Sequence, residues 1–215
     1  MGAEHEGSDG LHAGAAYLFH ECGGSWIQLE KYLDKVGGAG SSLGRVVSLS
    51  DQWSFLSAPF EISGGLGELG AVHVFDTATI WEPGGLHLDN SSAPVSGPIR
   101  VEMALCAGAE HAGRTYWILG SLSGTAPGFS FAGNHVALNP DVYFDITLST
   151  PNQGPLLDSL GTLDPNGIAY AAFDLPAPTP LMANLTLNHL YAVFDLQTLV
   201  VEYFTAPATL QLTND

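Results

Sequence analysis

Three observations predict an all-β fold. Gly, Pro, Asn and Asp punctuate the chain every eight to twelve residues. The runs between them alternate apolar and polar residues or are rich in Val, Leu, Tyr and Phe. One word near the N-terminus also returns, HAGAAYLF at 12–19 coming back as ELGAVHVF at 68–75. Short strands separated by turn residues at this spacing are the pattern of sandwiches and propellers. The neighbours of the word repeat too: Gly2-Ala3 and the loop EHEGSDGLHA precede the first copy, Ser57-Ala58-Pro59 and the loop FEISGGLGEL the second. Gly14 realigns with Gly70 and Phe19 with Phe75, an offset of 56 residues with a one-residue slip inside the loop. Repeats of structural origin extend in this way beyond their most visible words.

The elements follow in order. Between the copies lie four strand-like runs at 14–21, 25–32, 43–50 and 53–58. Ile27–Val36 mixes the two periods and is the only helix candidate, but its first half, within SWIQLEKY, alternates better as a strand. Four antiparallel strands per unit is one propeller blade. Residues 76–98 change character, with Pro, Gly and Ser marking a linker at 81–98 between a first domain at 1–80 and a second at 99–215. In the second domain strands are expected at 99–106, 114–122, 142–149, 159–163, 168–174, 185–194, 198–205 and 208–213. The turn Asp164-Pro165-Asn166-Gly167 predicts a hairpin with antiparallel flanks. In LTLNHLYAVFD both alternating faces become apolar in the second half, which predicts a central strand covered on two sides.

Composition bounds the function. The 215 residues are 46% hydrophobic and 13% charged, enough apolar matter for one or two globular domains. Five Lys and Arg against 22 Asp and Glu give a formal charge of -17, so the field repels a polyanion and nucleic acid is not an expected partner. No run approaches the roughly 20 apolar residues of a spanning helix, and the N-terminus lacks the basic-then-apolar pattern of a signal peptide. Cys22 and Cys106 match no metal-ligand spacing. Core thiols and a disulfide both remain open for them.

The words Leu43-Gly44, Ser57-Ala58-Pro59 and Gly70–Phe75, with the Gly14–Phe19 copy followed by GGSW at 23–26, resemble the FG-GAP repeat. This is the blade unit of integrin-α-type β-propellers found in many bacterial exported proteins. The resemblance covers residues 1 to 80, with Leu43 in place of the Phe of the name and Ser57 in place of the first Gly of the GAP. The second half, through AGRTYWILGSLSGTAPG at 112–128, LNPDVYFDITL at 138–148 and LGTLDPNGIAYAAFDLP at 160–176, is similar to the uncharacterised C-terminal β-domain of large exported bacterial proteins. Together with the alternation, it is expected to be an antiparallel sandwich of about eight strands, jelly-roll or Ig-like. Propellers close with about four to eight blades and this stretch holds about one and a half. The expectation is therefore a fragment of a longer, extracellular or cell-surface propeller protein. The alternatives are that the blade strands pack on the second half, or that copies assemble into an oligomer through unpaired edges.

The resemblance implies a Ca²⁺ loop, whose ligands would be Glu4, Glu6 and Asp9 on a Gly-bearing turn. The equivalent loop Phe60–Leu69 offers only Glu61 and Glu68 and is expected to hold no metal. The eight His are scattered without zinc-site spacing; His20 and Cys22 share a strand face, as half a zinc site or as ordinary packing. Ser121 and Ser123 read as turn residues. Asp141, Asp145, Asp158, Asp164, Asp174 and Asp195 could form a carboxylate pair, but several sit where Asp is chosen for local hydrogen bonds. Trp81, Tyr116, Trp117 and Tyr143 either line a glycan-stacking face or fill the core. The expected function is a non-catalytic adhesion, structural or interaction module meeting a protein or glycan surface. The alternatives are a carbohydrate-binding sandwich supported by Ca²⁺ and, third, a hydrolase with an unrecognised site.

Overall fold

The computed structural model describes residues 1–7, 11–22, 25–34, 39–50, 52–62, 69–77, 84–198 and 200–214. Among these the chain is all-β apart from one α-helix and two 3-10 turns. It divides into two compact units, Met1–His20 with Trp26–Trp81, and Glu21–Ser25 with Glu82–Asp215.

In the first unit β1 (Gly2–Ala3), β2 (Ala15–Cys22, its last two residues counted with the second unit) and β3 (Ser25–Leu33, its first residue likewise) form one sheet, and β4 (Val47–Leu49), β5 (Trp53–Ala58) and β6 (Ala71–Asp76) form another. The helical period of 27–36 loses to alternation, since burying Ile27 and Leu29 on one side of β3 needs a period of two. Each of the four expected strand runs contains a strand, but they are shared between two three-stranded sheets. The divider is Leu43-Gly44. Gly44 has φ +84°, and a Cβ there would run into the Ala15 carbonyl oxygen, so only glycine fits. Its N–H donates to Ser57 O, while Leu43 N–H donates to Ala13 O.

The repeat in the sequence is a repeat in the register. β1 and β2 pair Gly2 with Ala16 and Ala3 with Ala15, and β5 and β6 pair Ser57 with Val72 and Ala58 with Ala71. The loops match as well. Ala3 O accepts from Glu6 N–H as Ala58 O does from Glu61 N–H, and Glu6 O accepts from Gly14 N–H as Glu61 O does from Gly70 N–H. Glu61 is thus the counterpart of Glu6.

The two sheets stack. Ala16 and Leu18, on one face of β2, pack with Leu43, Leu56, Ala58 and Phe75. The same face of the second copy carries Trp53, Phe55, Val72 and Val74, which are 38%, 41%, 65% and 53% exposed. The face that is covered in the first copy is open in the second.

The second unit is a sandwich. Its strands are β7 (Leu86–Leu88), β8 (Ser92–Pro94), β9 (Ile99–Cys106), β10 (Thr115–Ser121), β11 (Phe129–Phe131), β12 (Asn134–Val136), β13 (Leu156–Leu157), β14 (Leu160–Thr162), β15 (Ile168–Leu175), β16 (Thr186–Asp195), β17 (Val200–Phe204) and β18 (Ala208–Thr213), with helix α1 at Val142–Ser149. A four-stranded sheet runs β13-β15-β9-β7. It faces a six-stranded sheet of order β14-β10-β16-β18-β8, with β17 also paired to β16. Val101, Met103, Leu105 and Phe173 from one sheet meet Ile118, Tyr191, Val193 and Leu210 from the other. As its alternation predicts, β16 is buried on both faces: Leu187, Tyr191 and Val193 enter this core, and Leu190 enters a second cluster with Leu138 and Phe144.

Three expectations are corrected here. Residues 142–149 are a helix, because Asp141 in extended backbone caps it by accepting from Phe144 N–H, and Tyr143, Phe144 and Thr147 then bury together. Residues 84–98 are not a bare linker: β7 and β8 carry Leu86, Leu88 and Ala93 into the sandwich core. Finally, the Asp164–Gly167 turn closes as expected, Asp164 N–H donating to Ile168 O, but its flanks lie in different sheets. The eight-residue pairing of β15 with β9 outweighs local reversal, while β14 joins β10.

Candidate functional site

The residues proposed for glycan stacking are core residues where the structure describes them. Tyr116 and Trp117 are neighbours in β10, and alternation sends them to opposite faces, both of which are covered. Tyr116 is buried with its hydroxyl donating to Asp158 O at 2.9 Å, and Trp117 is half-buried with Nε1 donating to Thr147 O at 3.2 Å. Tyr143 is buried on α1, its hydroxyl 2.8 Å from His189 Nε2. Trp81 lies outside the described residues. A stacking platform needs open ring faces, and these three rings do not supply one.

Of the residues expected to hold Ca²⁺, Glu4 lies 3.5 Å from Arg45 and Glu6 lies 3.4 Å from Lys31, so each carboxylate faces a side-chain cation. Asp9 lies outside the described residues, as does Glu68. Cys22 is disulfide-bonded to Cys106, with Cα atoms 6.0 Å apart, which settles the question left open by spacing and removes Cys22 as a zinc ligand.

The polar groups of the sandwich serve its architecture. Asp141 accepts from the Ser121 and Ser123 hydroxyls at 2.9 and 2.7 Å and from the backbone N–H groups of Leu122, Ser123 and Phe144. Burial opposes its charge, but these donors outweigh burial and hold the carboxyl well below its usual range, which makes it a poor base for either serine. His189 is fully buried, and burial pushes its imidazole down to about 3. Tyr143, pushed up by burial, keeps its proton. Both stay neutral near pH 7 and out of reach of solvent. Asp164 caps its own turn, Asp174 pairs with Arg100, and Asp195 pairs with Arg114.

One constellation was missed by the sequence reading. Asp34, just after β3, Glu61, in the loop after β5, and His73, in β6, bring one ligand atom each to within 4.8 Å of one another. His73 Nε2 and Glu61 Oε2 are 2.5 Å apart. Asp34 and Glu61 are only 2% and 5% exposed, and the His73 side chain is 21% exposed. The three residues come from distant segments, so no local spacing announces them. The available signal was the repeat itself, which puts Glu61 where Glu6 stands.

No family model matches the chain, and no curated protein matches it. Among the described residues, no helix is long and apolar enough to cross a membrane.

Proposed function

We propose that the chain is a non-catalytic, exported or cell-surface module of FG-GAP-like blades followed by a β-sandwich, and that it works by presenting sheet surface to another blade. The observation that carries this reading is the open face of β5 and β6. In the first copy the equivalent residues Ala16 and Leu18 are covered by the back of the next sheet, through Leu56, Ala58 and Phe75. In the second copy Trp53, Phe55, Val72 and Val74 await a cover of the same kind. Along the edge of the pair, Tyr17, Leu18, Phe19 and Trp26 of the first sheet and Leu49 of the second border an apolar groove of about 520 Å³. A sheet pair with one covered and one uncovered apolar face has the form of a slice from a longer stack, in which contacts of one type recur. The covering blade is supplied by a second copy of the chain. The disulfide supports an oxidising, exported setting.

Sedimentation velocity over a concentration series tests the reading. The chain is expected to associate with rising concentration, and V74D, which places a charge in the open face, is expected to sediment as a monomer throughout. A wild-type chain that stays monomeric, or a V74D variant that associates equally, would contradict it.

A further inference from the structure

We propose that Asp34, Glu61 and His73 form a binding site for a divalent transition-metal ion of the Zn²⁺ type, cross-linking the two sheets of the first unit. Asp34 and Glu61, almost wholly removed from water, and the His73 imidazole bring one ligand atom each to within 4.8 Å of one another, close enough for a single ion to touch all three. A bound dication would be the largest charge in this site, and at low dielectric its attraction for carboxylate oxygens is strong. In the first copy the same carboxylate has a cation beside it. Glu6 meets Lys31, whose ammonium also sits 5.6 Å from the ring centre of Tyr17. In the second copy the position of Tyr17 is His73, and Glu61 meets an imidazole and a second carboxylate where Glu6 meets a lysine.

The donor set selects the metal. One imidazole nitrogen and two carboxylate oxygens suit Zn²⁺ and its neighbours, while Ca²⁺ takes six to eight oxygens and gains little from an imidazole. The partly exposed His73 gives the ion access from solvent, and a water would complete a tetrahedral shell. Asp34 follows β3 of the first sheet, whereas Glu61 and His73 belong to the second, so the bound ion acts as a clasp between sheets, in addition to the hydrophobic contacts there. A clasp of this kind turns metal affinity into folding stability.

The test uses the whole chain after chelation and dialysis, with Zn²⁺, Co²⁺ and Ca²⁺ as separate probes. Zn²⁺ is expected to bind at about one ion per chain and raise the melting temperature. Co²⁺ is expected to give visible absorption that Zn²⁺ bleaches. The near-isosteric E61Q and D34N, and H73Q, are each expected to weaken Zn²⁺ uptake at least about tenfold. H135Q, which alters an exposed imidazole elsewhere, is expected to bind as wild type does. The wild-type Co²⁺ spectrum is independent of whether any variant folds. Three results would overturn the proposal: a folded wild-type chain that takes up no Zn²⁺ and gives no Co²⁺ band; folded H73Q and E61Q that bind Zn²⁺ undiminished; or stabilisation by Ca²⁺ with none by Zn²⁺.

Discussion

Lowering the pH from 6.5 toward 3 is expected to destabilise the sandwich by on the order of 5 kcal/mol through His189 alone. Burial holds the folded imidazole at about 3, against an ordinary value of 6.5. Between these values the unfolded chain binds a proton that the folded chain refuses, so stability falls as the pH falls; above 6.5 the group contributes no slope. The groups around it offer no relief: Tyr143 holds Nε2, and the Phe173 ring lies 6.0 Å away. Asp141 adds to the loss in a lower window, because its contribution is present above 3.8 and disappears only as the pH drops below that value. Urea denaturation at a series of pH values measures the effect. H189L is expected to lose roughly 1–3 kcal/mol near neutrality, as Tyr143 is left without its partner, while showing a flat profile between pH 6.5 and about 4.5. A wild-type profile that is flat over the same interval would refute the assignment.

The second large effect belongs to the disulfide. Cys22 ends β2, Cys106 ends β9, and both are buried, 84 positions apart in sequence. Joining such distant points removes much of the freedom of the unfolded chain, and the double variant C22A/C106A is expected to lose about 3 to 5 kcal/mol. The comparison is made by denaturant midpoint, alongside thiol titration of the unfolded, unreduced wild type, which is expected to reveal no free thiol. A titration that finds two thiols, or equal midpoints for the two proteins, would show that the bond contributes nothing in solution.

The parts of the fold that sequence alone disclosed are those governed by local alternation. β9, β10, β15, β16 and β18 fall where period-two patterning places them, since a buried sheet face dictates every second residue. The helix α1 escaped because VYFDITLS is rich in β-branched and aromatic residues, and propensity yields there to the Asp141 cap and to the joint burial of Tyr143, Phe144 and Thr147. β7 and β8 escaped because three-residue strands between Gly, Pro and Ser have the composition of a linker. For Tyr116, Trp117 and Tyr143 the sequence leaves open face and core as alternatives, because alternation tells which residues share a face but not whether another layer covers it; the structure decides for the core. The Asp34–Glu61–His73 cluster is a product of tertiary folding, and only the alignment of the two repeat loops hints at it.

That alignment also underlies the central claim, that the open face of the second copy takes a covering sheet as the first copy does. Hydroxyl-radical footprinting at low and high protein concentration reads this face directly. Trp53, Phe55, Val72 and Val74 are expected to become protected as concentration rises, while Tyr170, 59% exposed on the sandwich, stays labelled. Labelling of the four residues that does not change with concentration, or protection that appears at Tyr170 instead, would contradict it.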